Sequence, residues 1–295
     1  MNWVGRKSCP LCGHSPCAPF RRPIPIPDQL QSEDVRITDS RYGKRWPLFR
    51  CPSCTFVFAD PVPDSIGLAE LYGNLQDDEY SGERENRARN FLPILSRIRR
   101  FSPAGKRLLD VGAASGIFLD LARRHGFAVE GVEPSSFLVR EARELYDLEL
   151  FCGTLDTFPE RPQYDVVTLL DIIEHVFDPA GMLRQVHGRM NPGGLLVAVT
   201  PDISSLAANL TGEHWWHFRL AHLQFFNRRS LEHILRCSGF HPLAMRRYAW
   251  HFSYHYLLTR LFPRLKSGGG LQNVLKKLNL KLQLFDSLEI YARKI

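Results

Sequence analysis

The sequence predicts an α/β protein: a doubly wound sheet of seven strands, preceded by a small segment built around two cysteine knuckles. Three observations carry this. An apolar strand over 108–111 runs into a turn bounded by Gly112 and Gly116 and then into a helix. From there strands and helices alternate towards the C-terminus. The first 60 residues hold two Cys-x-x-Cys pairs, Cys9/Cys12 and Cys51/Cys54. Strand–helix alternation gives a parallel sheet covered on both faces. A length of 295 residues suits one large domain plus an appendage. The divisions expected are 1–60 for the cysteine segment, 61–105 for a helical connector or lid, and 106–295 for the main domain, with a helical insertion at about 253–285.

Bulk composition narrows the class. A hydrophobic content of 44% and a charged content of 23% are ordinary for a globular protein in water. No apolar run has the length of a signal peptide or a membrane span. Seven cysteines, an odd set without secretory context, point to a reducing, cytoplasmic setting with thiols free or on metal. The net charge of +7 permits an anionic partner without demanding one.

Each element can be justified in turn. A Cys-x-x-Cys knuckle presents two thiolates to one ion, and two knuckles complete a tetrahedron, so Cys9, Cys12, Cys51 and Cys54 are expected to hold structural Zn2+ in a zinc-ribbon-like segment. Gly13 suits the turn after the first pair, and 56–58 reads as a strand beneath the second. The run containing Pro19, Pro23, Pro25 and Pro27 must loop out between them. Cys17 or His14 could replace one ligand, and unliganded thiols or a redox pair are the rival readings. A metal would help so short a segment to fold. In the connector, 64–72 and 84–100 read as helices, the second with Phe91, Ile94, Leu95 and Ile98 at helical spacing. Tyr72 and Tyr80 between them serve as a lid or as packing.

In the main domain, strands are expected over 108–111, 129–133, 149–151, 165–170 and 195–199. Helices are expected at about 117–125, 135–146, 179–190 and 229–238, with closing strands over 240–250 and 287–293. Ligands of such sheets bind beyond the carboxyl ends of the strands. A turn between glycines lets backbone approach a ligand closely, and Glu133 ends the second strand about 20 residues on, where a carboxylate accepts both hydroxyls of an adenosine ribose. A dinucleotide or S-adenosylmethionine would fit that pairing.

Further motifs choose between them. Leu109-Asp110-Val111-Gly112-x-x-x-Gly116 and Gly131-Val132-Glu133 come first. The stretch 164–179 follows, containing Asp171-Ile172-Ile173-Glu174-His175, then Asn191-Pro192-Gly193-Gly194, Thr200-Pro201-Asp202 and Ser238-Gly239-Phe240. In this order they resemble the class I S-adenosylmethionine-dependent methyltransferases of the ubiquinone-type, type 23 group, over about 106–250. With its cysteine knuckles the chain is similar to the zinc-containing methyltransferases of sugar and polysaccharide pathways. The resemblance implies a Rossmann-like fold and an enzyme that uses S-adenosyl-L-methionine. It implies that Asp110, Gly112, Ala113 and Gly116 hold the methionine end, Glu133 the ribose and the Thr154 region the adenine, with Asp171 opening towards the methyl group. The family's central loop glycine is Ala114 here.

A sulfonium methyl is already electrophilic, so such an enzyme aligns a nucleophile, excludes water and, for a hydroxyl or carbon acceptor, supplies a base. His222, His175 and His217 are the candidate bases, with Asp171 beside them. His222 lies in the ring-rich stretch 213–226, whose plainer role is a packed latch. Asp171, Glu174 and His175 also resemble the divalent-metal site of ubiquinone-type and small-RNA O-methyltransferases. The structural reading, capping of the next helix, is preferred because one helical turn supplies too few ligands. At the C-terminus, apolar positions such as Leu257, Leu261, Leu278 and Leu282 alternate with Arg260, Arg264, Lys276, Lys277 and Lys281. These suggest a helical pair hinged at 267–270 that caps the pocket, or a peripheral membrane contact through 257–285.

The function expected is methylation of a small-molecule, sugar or glycan-precursor acceptor, free or lipid-linked, at oxygen or carbon. The alternatives are an RNA methyltransferase gripping phosphates with Arg21, Arg22, Arg41, Lys44, Arg45 and Arg50, and a cofactor-binding scaffold that has lost catalysis.

Overall fold

Strand β6 (Arg107–Val111) buries side chains on both faces, Leu108 in one apolar cluster and Leu109 and Val111 in another. That is the signature of a strand in the middle of a covered parallel sheet. The computed structural model describes residues 2–22, 24–25, 29–36, 43–76, 83–101, 105–160, 163–261, 274–275 and 278–295. It sets β6 between β7 (Ala128–Glu133) and β9 (Tyr164–Leu170), parallel to both. β8 (Phe151–Cys152) and β10 (Met190–Pro201) extend the parallel set outward. β15 (Ser287–Lys294) runs antiparallel between β10 and β12 (Phe240–Arg247), giving seven strands in the order β12-β15-β10-β9-β6-β7-β8. The fold class expected from the sequence is therefore the one observed. Between Met190 and Leu195 the register of β10 against β9 shifts. Pro192 has no N–H for the ladder and Gly193 is left-handed (φ 71°), so the Asn191–Gly194 motif is a bulge within one strand.

Helices cover both faces. On one, α2 (Arg84–Arg100) packs Ile94, Leu95 and Ile98 with Phe118 and Leu119 of α3 (Ile117–Arg124). On the other, α5 (Pro179–Gly188) places Leu183 and Val186 against Leu231 and Ile234 of α7 (Arg228–Cys237). Local signals fix where they start. Ser135 caps α4 (Ser136–Tyr146) through Leu138 N–H, Asp178 caps α5 ahead of Pro179, and Asn227 caps α7.

The first 60 residues do not stand apart. β2 (Ala18–Phe20), β3 (Leu48–Arg50) and β4 (Val57–Ala59) form an antiparallel sheet whose fourth strand, β11 (Gln224–Phe225), comes from the main domain. Cys9, Cys51, Cys54, Phe56 and Phe58 share an apolar cluster with Leu183, Phe226 and Leu231, and the Phe56 and Phe226 rings lie 5.0 Å apart. The cysteine module is thus built into the main core. The connector supplies α1 (Ser65–Gly73) and α2.

The helical insertion expected at 253–285 takes a mixed form. β13 (Trp250–Ser253) pairs antiparallel with β14 (Asn279–Leu282), and α8 (Tyr254–Leu261) leaves the end of β13. Asn279-Leu280-Lys281-Leu282 alternates with period two, so it suits a strand although its leucines also continue a helical spacing. The expected strand over 240–250 is accordingly divided between β12 and β13. Tyr80, Arg41, the 267–270 hinge, Arg264, Lys276 and Lys277 lie outside the described residues. Among the described residues no helix is long and apolar enough to cross a membrane.

Candidate functional site

A cavity of about 530 Å³ opens beyond the carboxyl ends of β6, β7, β8 and β9, with residues of α1 and α2 in its wall. Its floor is the turn after β6. Gly112 is left-handed (φ 75°), a conformation that favours glycine, and a Cβ there would lie 2.1 Å from Ile172 Cδ1, so any side chain would also have to displace Ile172. Ala114 is left-handed too (φ 48°), a conformation costing a non-glycine residue roughly 1 kcal/mol. Its N–H donates to Glu133 Oε2 at 2.9 Å, while Ser135 N–H donates to Glu133 Oε1 at 2.9 Å. Glu133 is therefore oriented by two backbone donors yet keeps lone pairs for ligand hydroxyls. Burial lifts its pKa to about 7 against the lowering effect of those donors.

Four of the expected cofactor residues, Gly112, Glu133, Thr154 and Asp171, border this cavity. Asp110, Ala113 and Gly116 stand behind it. Asp110 turns into the sheet and accepts Thr168 Oγ1–H at 2.5 Å, and burial pushes its pKa to about 8. Ala113 packs in the apolar cluster around α3. A Cβ on Gly116 would meet Leu148 and Ala142, so this glycine serves packing between α3 and α4. None of these three placements is marked in the sequence, where all belong to one motif.

Of the four candidate catalytic residues, Asp171 and His175 line the cavity and His222 and His217 form a layer behind them. His175 Nδ1 lies 2.9 Å from Ala221 O and 2.8 Å from Tyr72 Oη; His222 Nδ1 lies 2.7 Å from His217 O. A carbonyl only accepts, so both rings carry their proton on Nδ1 and keep an Nε2 lone pair free. Burial holds His175 down to about 4 and His222 well below the usual imidazole range, so both are neutral at pH 7. Glu174 Oε2 accepts Thr200 Oγ1–H at 3.0 Å. Its Oε1 is buried without a hydrogen-bond partner, 4.0 Å from His175 Nε2. Burial, with the Asp171 charge nearby, raises Glu174 well above the usual carboxylate range.

One atom each from Glu174, His175 and His222 therefore gathers within 4.8 Å. The set differs from the expected Asp171/Glu174/His175. Asp171, left-handed at φ 58°, stands apart from this cluster and borders the cavity; burial raises its carboxyl, the Arg87 charge opposes that and Asp286 adds to it. His217 Nε2 lies 3.2 Å from Asp286 Oδ2. Sequence reasoning weighed Tyr72 only as a lid or packing and passed over Arg87 and Asp286. A tyrosine poised over an acid–His segment is the one of these that a sequence could flag.

The second cluster is the cysteine set. Cys9 and Cys54 sulfurs are 3.6 Å apart, Cys12 and Cys51 are 3.5 Å apart, and all four lie within 4.8 Å of one another. Ligands of a tetrahedral Zn–S₄ centre are about 3.8 Å apart, given Zn–S bonds of about 2.3 Å. The two knuckles repeat each other: Gly13 N–H and Thr55 N–H donate to Cys9 O and Cys51 O, and Cys9 N–H and Cys51 N–H donate to His14 O and Phe56 O. Cys17 stays outside the four, and burial with neighbouring thiolates pushes its thiol up to about 12.

Residues 83–244, more than half of the chain, match the methyltransferase-domain family. A ubiquinone biosynthesis O-methyltransferase of Pseudomonas aeruginosa is 35% identical over 99 residues, covering 31% of this chain and 42% of that protein. One from a Bradyrhizobium strain is 29% identical over 102 residues, covering 33% and 40%. The chain thus aligns with about two fifths of the length of these relatives. A solved amino pentose methyltransferase from Micromonospora echinaspora, with S-adenosylmethionine bound, is 17% identical, covering 75% of this chain and 99% of its own, with a TM-score of 0.46.

Proposed function

The chain belongs to the methyltransferase-domain family, and from that premise we propose that it is an S-adenosylmethionine-dependent methyltransferase acting on a small-molecule, sugar or glycan-precursor acceptor at oxygen or carbon. The observation that carries this reading is the pairing of the Gly112 turn with the doubly oriented Glu133 carboxylate at one end of a cavity of cofactor size. The bound cofactor would supply an electrophilic methyl group. Glu133 accepts the ribose hydroxyls, Thr154 and its neighbours flank the base, and Gly112 and Asp171 border the methionine end. Tyr72, α1 and α2 exclude water from the cavity.

His175 is the residue best placed to take an acceptor proton, with Tyr72 fixing its ring and His222 behind it. A base held near 4 is weak, and this favours a second role for the cluster. The free Nε2 atoms and the orphaned Glu174 Oε1 form a donor set suited to a divalent ion, which would lower the pKa of an acceptor hydroxyl. Structural Zn2+ on Cys9, Cys12, Cys51 and Cys54 is supported by the sulfur spacing. The RNA reading loses support at Arg45, which is buried and paired with Glu213 at 2.5 Å.

The test is transfer of labelled methyl from S-adenosylmethionine into a host extract divided into RNA, glycan-plus-lipid and small-molecule fractions, with Gly112→Arg as control. Nuclease-resistant label outside the RNA fraction, absent in the control, is expected. Nuclease-sensitive label would favour RNA. Cofactor binding without turnover on any fraction would favour the scaffold.

A further inference from the structure

The cavity wall at 172–178 has neither helix nor strand of its own before α5 begins. Apart from His175 N–H, which donates to Ile172 O, its backbone groups must be satisfied from elsewhere, and the donors come from the stretch at β11, the main-domain strand that completes the cysteine module's sheet. Glu174 O accepts Leu223 N–H at 2.9 Å and Gln224 N–H at 3.0 Å, and Gln224 Nε2 donates to Val176 O at 3.0 Å and Phe177 O at 3.3 Å. Gln224 belongs to β11 and pairs with Phe58 of β4. One further donor comes from the far end of the chain. Arg6 Nη2 donates to Phe177 O at 2.9 Å and Nη1 to Gln224 Oε1 at 3.4 Å. Its guanidinium lies over the rings of Phe177 (5.2 Å) and Phe58 (5.9 Å), and its own N–H is anchored on Asp60 Oδ1 at 2.9 Å.

We infer that Arg6 is a positioning residue, fixing the 172–178 wall to the cysteine module so that ligand affinity depends on a side chain outside the family match. Val176 and Phe177 border the cavity directly, and His175 is part of the same wall. A planar guanidinium meets these demands together: two donors for two acceptors and a flat face for two rings. Lysine can reach one acceptor but cannot reproduce the fork.

The effect on cofactor affinity rests on the proposed function, whereas the effect on the wall does not, so the experiment reads both. Full-length wild type, Arg6→Met and Arg6→Lys, each with its metal content measured, are compared by amide hydrogen exchange and by calorimetric titration with S-adenosylhomocysteine. In Arg6→Met, exchange over 172–178 should rise about tenfold and Kd should rise about tenfold, the ordinary cost of one charge-assisted hydrogen bond. Metal content and exchange over 48–59 should not change, and Arg6→Lys should fall between. If Arg6→Met does not fold, Arg6→Lys alone carries the comparison. Unchanged exchange over 172–178 in a folded variant overturns the inference, and so does loosening that extends equally through 48–59. Failure of the wild type to bind S-adenosylhomocysteine counts against the cofactor reading and leaves the exchange result to decide Arg6.

Discussion

Among the described residues two clusters of ligand-type side chains stand out, a cysteine set with Cys12 at the surface and a buried Glu–His set, and they are built in opposite ways. The cysteine set comes from two short loops with the same three-residue spacing and the same turn hydrogen bonds, each complete within six residues. The cluster at the cavity takes Glu174 and His175 from the loop after β9 and His222 from a stretch far downstream, with Tyr72 of α1 against it. A local loop fixes its ligands by backbone geometry. A dispersed cluster depends on the packing of whole elements, so its members are set by the fold and its Nδ1 atoms need backbone carbonyls to orient them.

The sharpest way to break the comparison is at the knuckles. If the knuckles hold Zn2+ as proposed, Cys51→Ser should abolish the metal content and lower Tm by roughly 10 °C or more, because a loop closed by an ion has little core of its own. Calorimetry with metal analysis reads this, and an unshifted Tm would mean the module folds without an ion. At the dispersed cluster, His175→Ala should leave Tm within a few degrees but reduce methyl transfer about 100-fold. If an ion is used there, a chelator should inhibit the wild type and Mg2+ or Mn2+ should restore it, with Glu174→Gln insensitive to both.

Proton coupling separates the regions further. Glu133 must be a carboxylate to accept ribose hydroxyls, and its pKa of about 7 lies above its unfolded value. Affinity for S-adenosylhomocysteine should therefore weaken up to about tenfold per pH unit below 7. The unliganded protein runs the other way. Folded Glu133 and Asp110 bind protons more tightly than the unfolded chain, so their contribution to stability is fully present below about pH 4 and is lost as pH rises towards 8. Titration calorimetry and melting curves across pH 5–8 check both slopes, and parallel slopes would contradict the assignment.

The smallest effect compares the knuckles with each other. The residue after each pair is left-handed: Gly13 in the first (φ 72°) and Thr55 in the second (φ 64°). A β-branched residue is strained there, so Thr55→Gly should stabilise the protein by up to about 1 kcal/mol unless its hydroxyl contact with Asn227, at 3.1 Å, matters more. A melt of the variant beside wild type decides which term is larger.

What the sequence disclosed follows the same division. Apolar runs between glycine and capping signals placed β6, β7, β9, β15 and the covering helices to within one or two residues, because burial on both faces leaves a continuous trace. The cysteine spacing was equally plain. Elements whose stability lies in their partners left little trace. β11 is two residues long and exists because β4 offers it an edge, and β14 carries an alternation that also reads as helix. In the site, Gly112 and Glu133 could be foreseen from their motifs. The exchange of Asp171 for His222 could not, since a left-handed backbone at Asp171 and the path of the chain after β10 decide it.

The strand exchange between module and main domain also orders events during synthesis. β4 is made early, but the strand that covers its edge is encoded after all five parallel strands of the main sheet. Until then the knuckles can close while one margin of their sheet offers unpaired N–H and C=O groups to any passing chain. A nascent chain between these points would carry a closed knuckle beside an open seam.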